Sequence, residues 1–181
     1  MLNRKLITFN SRTNHSRDVV CHLKSKLDMI KGLFETHLFV SDIERSIEFY
    51  GKVLGLKQCH YEKERRVAFF WIGKEKQSML GLWEKPKDEI DIRHFAFESE
   101  PEWIINESVN YLKKRNLNFW NFLGDETERP MVFSWVPAIA IYFSDPDGHY
   151  LEFIGILNGK SKPENGVISY GKWKELETEK K

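Results

Sequence analysis

The sequence predicts an α+β protein in which one order of elements, strand–helix–three strands, is read twice. Three observations carry that prediction. The 181 residues are 41% apolar and 14% aromatic, enough for a sizeable core. Short β-like runs are punctuated by Gly, Pro, Asn and Asp. Two stretches with helical apolar spacing each follow directly on a strand-like run.

The first module spans residues 29–86. Residues 33–40, LFETHLFV, read as a strand. Ser41 and Glu44 have capping-box spacing. Ile43, Ile47, Tyr50 and Leu54 then form a helical stripe that Gly55 is placed to end. Strands are expected at 56–61, 66–72 and 78–83, with turns at 64–65 and 73–76. Residues 84–89, EKPKDE, read as a linker.

The second module spans residues 91–157. A strand at 92–97 leads to Ser99 and Glu102, again at capping-box spacing, and to a stripe of Ile105, Val109 and Leu112. Strands follow at 118–123, 132–135, 138–143 and 150–156. Between the last two, SDPDGH at 144–149 is a tight turn: Pro146 presets φ and Gly148 accepts a positive one. The tail, 158–181, carries Gly159, Pro163 and Gly166, then an amphipathic ending with Trp173 and Leu176.

Residues 1–28 differ in character. They hold six basic residues against two acidic ones, and the balance reverses after them. Three readings compete: a mitochondrial-type transit peptide, a translated leader ahead of a working start at Met29, or a helical arm using Val19, Val20, Leu23, Leu27 and Ile30. The leader reading is preferred, because clear patterning starts directly after Met29.

Composition narrows the function. Basic and acidic residues number 28 and 27, so no polybasic surface marks nucleic acid as the partner. The longest strongly apolar run, around Val136–Phe143, is far short of the roughly 20 residues of a membrane span. Cys21 and Cys59 give neither a disulfide framework nor a cysteine zinc signature. A reducing, cytoplasmic setting is expected, or a mitochondrial one if residues 1–28 are a transit peptide.

His37 and His94 lie in the first strands of their modules, among apolar residues. Glu152 lies in the otherwise apolar YLEFIGI. A buried carboxylate needs a partner. Two histidines and a carboxylate can satisfy one another around a divalent metal, leaving open positions for substrate. Glu152 could instead pair with Arg66, Arg93 or Arg129.

The segments THLFVSDIERSIEFYGKVLGL, IRHFAF and IYFSDPDGHYLEF resemble the glyoxalase/bleomycin-resistance/extradiol-dioxygenase superfamily, the vicinal oxygen chelate proteins. The resemblance implies paired βαβββ modules forming a curved mixed sheet around a metal site, within a homodimer. It implies His37, His94 and Glu152 as metal ligands, and one divalent ion: Fe(II), Mn(II), Ni(II) or Zn(II). The fourth ligand of glyoxalase I, a glutamate, falls here on Gly81, so glyoxalase activity is not expected. The polar residue that fosfomycin-resistance thiol transferases carry two positions after the first ligand is Phe39 here. The extradiol signature is met by Tyr142, Asp145, Pro146, Gly148 and Glu152, without the histidine expected before that tyrosine.

The implied activity is that of a metal-dependent lyase, isomerase or dioxygenase on a small molecule with vicinal oxygens. Tyr142 is the candidate proton donor. Arg66, Arg93 and Arg129 are candidate anion contacts, and Trp71, Trp83, Trp120 and Trp135 candidate pocket walls. The alternative is a metal-free binding protein like the bleomycin-resistance group.

Overall fold

The computed structural model describes residues 30–125 and 127–178; the readings of residues 1–28 and of Cys21 lie outside them. The elements below belong to one compact unit, Glu35–Lys181.

The first module is β1 (Glu35–Val40), α1 (Ile43–Glu48), β2 (Lys57–Glu62), β3 (Val67–Ile72) and β4 (Ser78–Glu84). Its four-stranded sheet has the order β1-β4-β3-β2. β1 runs parallel to β4 and the other pairs are antiparallel. Strand alternation sorts the side chains. Leu38, Val40, Ala68, Phe70, Leu80 and Leu82 turn to one face and join the core with Ile43, Phe49 and Tyr50. Glu35, His37, Phe69, Gly81 and Trp83 share the other face, where strand register sets His37 opposite Gly81 and Gly81 opposite Phe69.

α1 begins one residue later than the capping-box spacing predicts. Asp42 is the cap, its side chain accepting from Arg45 N at 3.0 Å. Ser41 is committed elsewhere, as described below. After α1 a π-turn, Phe49–Val53, carries the chain to Gly55, which takes φ of 76° and ends the helix.

The second module is β5 (His94–Glu98), α2 (Pro101–Asn106), α3 (Ser108–Lys114), β6 (Phe119–Trp120), β7 (Met131–Phe133), β8 (Ala138–Ser144) and β9 (Tyr150–Ile156). The expected single helix is broken at Glu107, where Ser108 Oγ donates to Ile104 O. Glu100 precedes α2 in the cap position without a side-chain bond, and Pro101 supplies the preset first turn instead of Ser99 and Glu102. The expected strand at 118–123 shrinks to two residues. Asn121 is buried and turns to Asp125 and Thr127, ending the ladder.

The tail joins the sheet. β10 (Val167–Ser169) pairs with β7, giving the order β10-β7-β8-β9-β5 with β6 beside β8. α4 (Tyr170–Thr178) follows, with Trp173 buried. Lys162 lays its ammonium over the Trp173 ring and binds Leu176 O and Glu177. Among the described residues no helix is long and apolar enough to cross a membrane.

The SDPDGH turn does more than reverse the chain. Asp147 accepts from Ser41 N at 3.0 Å, from Ser41 Oγ and from Arg45 Nη2. Tyr50 donates to Asp145 Oδ2 at 2.9 Å. His149 is fully buried. Arg93 N donates to its Nδ1 at 3.0 Å, so the ring proton sits on Nε2, which donates to Phe39 O at 2.8 Å. The β8–β9 turn of the second module is thus bonded into the β1–α1 junction of the first.

Candidate metal centre

His94 opens β5 rather than lying in its middle, and its side chain is half exposed. Strand register sets His94 opposite Tyr150 and Ala96 opposite Glu152. His94 and Glu152 are therefore diagonal neighbours on one face. His94 Nε2 and Glu152 Oε2 are 3.0 Å apart. The Glu152 side chain is only 4% exposed, and its Oε1 is buried without a hydrogen-bond partner. Burial pushes the Glu152 carboxyl up from the usual range, against the pull of His94 and Tyr142. A half-paired buried carboxylate is costly unless something fills its free lone pairs.

Tyr142 sits directly opposite Glu152 in the β8–β9 ladder. Burial, with Glu152 beside it, pushes its phenol well above the ordinary tyrosine range, so it keeps its proton. Its ring is 5.6 Å from that of His94 and stacks on Trp120 at 6.2 Å, and Tyr150 meets Trp120 edge-on. Trp120 is thus a wall of this half-site.

The first module offers a second cluster. His37 Nε2 lies 2.8 Å from Glu35 Oε1, both side chains partly exposed. The His37 ring packs between Phe69 and Trp83. A Cβ on Gly81 would come within 2.6 Å of His37 Cδ2. Gly81 does face this side of the sheet, yet the space its missing side chain leaves is taken by the imidazole. Glu35 is a functional candidate that sequence reasoning passed over: at the start of a strand it reads as an exposed polar residue, and only its bond to His37 marks it.

Within one chain the expected triad stays in two parts. Among the described residues one group of three or more potential ligands has its ligand atoms within 4.8 Å of one another, and it is Asp42, Glu44 and Glu84. That group is already served. Arg66 forks onto Glu44 and Glu84, Glu84 accepts from Ile43 N, and Asp42 caps α1. The Arg66 guanidinium holds the Glu44 carboxyl down to about 2.

Arg66 is therefore committed to these carboxylates instead of to a substrate. Arg93 pairs with Asp91 and Arg129 is exposed. Trp71 is half-buried, on the same face of β3 as Phe69. Trp83 carries Arg65 over its ring at 5.2 Å. Trp135 stacks on Phe133 beyond β7 and is 44% exposed.

Comparison with known proteins places this geometry. The Glyoxalase/Bleomycin resistance protein/Dioxygenase superfamily matches over residues 27–153. A curated relative, the metallothiol transferase FosB of Staphylococcus saprophyticus, is 29% identical over 169 residues, covering 82% of this chain and 95% of that protein. An integron cassette protein from the mobile metagenome of the Halifax Harbour sewage outfall is 31% identical, covering 70% of this chain and all of its own, with a TM-score of 0.59. The lactoylglutathione lyase of Agrobacterium tumefaciens shares the fold at 18% identity, covering 70% of this chain and 95% of its own, with a TM-score of 0.54. With paired strand–helix–strand modules and a family match across most of its length, the chain belongs to the Glyoxalase/Bleomycin resistance protein/Dioxygenase superfamily.

Proposed function

We propose that this protein is a divalent-metal enzyme acting on a small molecule with neighbouring oxygens, and that its reaction is the transfer of a thiol to that molecule. The observation that carries the metal reading is Glu152: a buried carboxylate with one oxygen on His94 and the other without a partner. One imidazole and one carboxylate aimed at a common point suit a first-row divalent ion. The thiol reading is supported by the curated metallothiol transferase, similar over nearly its whole length. Gly81 weighs against glyoxalase chemistry, since no carboxylate stands there to move a proton.

His94 and Glu152 would hold the ion, together with the β1 site face where His37 stands. Because these parts remain separate in one chain, we assign the complete centre to a homodimer in which β1 of one copy faces β5 and β9 of the other. A divalent ion bound there supplies a Lewis acid for a substrate oxygen. The chain's own groups do the rest. Tyr142 keeps its hydroxyl proton and offers it as a hydrogen bond to that oxygen. Trp120 and Tyr150 line one side of the half-site beside Tyr142. The reading as a metal-free binding protein competes, but it leaves the buried Glu152 oxygen unexplained.

Metal analysis of protein purified without chelator should find close to one Mn, Fe, Ni or Zn per chain. With Mn(II), a small thiol and a small epoxide bearing a second oxygen nearby, mass spectrometry should detect the adduct in which a C–S bond has replaced one epoxide C–O bond and the thiol proton has passed to the released oxygen, while methylglyoxal–glutathione lyase turnover should be negligible. A protein that neither carries nor takes up a divalent ion overturns the metal reading. Robust lyase turnover without adduct formation overturns the thiol reading.

A further inference from the structure

We infer that Glu35, rather than His37, is the β1 ligand of the metal centre, and that His37 is the residue that holds the Glu35 carboxylate. This deepens the metal reading above and rests on it.

The two modules are repeats, so their strand registers can be laid on each other. If Glu35 is set on His94, their cross-strand partners Met79 and Tyr150 also coincide. β4 then falls on residues 149–155, one residue from the observed β9, Tyr150–Ile156. Gly81 falls on Glu152, and Phe69 on Tyr142. β3 falls on residues 140–145, overrunning Ser144, the last residue of β8, by one.

If His37 is set on His94 instead, its partner Gly81 falls on Tyr150. β4 is then displaced by three residues, to 147–153, and β3 runs to residue 147, inside the SDPDGH turn. Only the first superposition keeps strands on strands. Under it Glu35 and His94 both open their strands.

The side-chain geometry agrees. The His37 ring fills the space beside Gly81, packed by Phe69 and Trp83, and its Nε2 points at Glu35 Oε1. An imidazole bonded to a carboxylate that ligates a metal fixes the orientation of that carboxylate. The ligand set becomes Glu35, His94 and Glu152. Two carboxylates cancel the charge of a divalent ion, where two imidazoles and one carboxylate would leave a net positive charge. More oxygen donors also shift preference toward Mn(II).

The test is binding of Mn(II) to the full-length apo protein, followed by the electron paramagnetic resonance of free Mn(II). Both Glu35 and His37 are partly exposed, so the variants should fold, and thermal melts check this. Glu152→Gln should abolish high-affinity binding. Glu35→Gln should do the same, and His37→Gln should weaken it by about 10–100-fold, as loss of a ligand-orienting partner does. The decisive variant is the double substitution Glu35→His with His37→Gln. It puts an imidazole at the first position of β1 and removes the one at the third, and it should recover Mn(II) binding to within about tenfold of wild type. If Glu35→Gln binds as wild type does while His37→Gln and the double variant do not, Glu35 is not the ligand, and the metal centre itself stands. If the wild-type protein takes up no Mn(II), both readings fall.

Discussion

At the scale of single residues, burial decides what each charge can do. Glu152 is buried in an apolar strand, and burial pushes its carboxyl above the usual range. Glu152→Gln should therefore leave the melting temperature of the apo protein unchanged or raise it, while removing metal binding; differential scanning calorimetry with and without Mn(II) reads both. Asp147 is the opposite case. Burial would raise its pKa, but Ser41 and Arg45 outweigh burial and hold it below the ordinary aspartate range. Its stabilisation is thus full above the unfolded value near 3.8 and is lost as pH falls through the lower folded value. Asp147→Asn should cost about 1–3 kcal/mol near neutral pH. In urea melts that difference should shrink as pH drops below about 4. Glu35 shows why a site can be legible in kind but not in detail. The sequence marks His37 and His94 on the first strands and Glu152 on the last strand of the second module as one candidate centre. Which β1 residue serves it depends on cross-strand register, and the same-face neighbours Glu35 and His37 differ by one pleat repeat.

At the scale of elements, the order of strands and helices is readable because β3, β4, β8 and β9 are short apolar runs rich in β-branched and aromatic residues and bounded by turn residues, and because Ile43, Ile47 and Tyr50 keep helical spacing. What the sequence misplaces are the ends. Ser41 looks like a cap, yet Asp42 caps, because the side chain of Ser41 is drawn to Asp147, 106 residues away. Asn121 ends β6 early for a similar reason, its amide being taken by its own loop. The tail reads as an appendix and is instead a packed element. Trp173 is 3% exposed, with Lys162 over its ring. Trp173→Ala should cost about 3–5 kcal/mol and free β10 and α4 for rapid amide exchange ahead of β8 and β9. If α4 keeps its protection in that variant, it is held by other contacts.

At the scale of the whole molecule, the two half-centres lie on different sheets, one with Glu35 and His37 and the other with His94 and Glu152. If they meet across a homodimer, variants can complement each other. A Glu35→Gln chain mixed with a Glu152→Gln chain should form heterodimers with one intact centre and one doubly altered centre. Mn(II) binding should then reappear on mixing, at no more than half the wild-type stoichiometry; no recovery despite subunit exchange would place the centre within single chains. The SDPDGH turn has a further consequence. Asp145, Asp147 and His149 bind Tyr50, Ser41 and Phe39 directly, so the modules are joined by a side-chain clasp as well as by the peptide link at 85–93. Peptide continuity is then expendable. A chain cleaved in that link should still elute as one species, and separately expressed halves should find each other. Two genes, one per half, could encode a working protein, and altering Asp145 and His149 should drive such halves apart while the uncut chain stays whole.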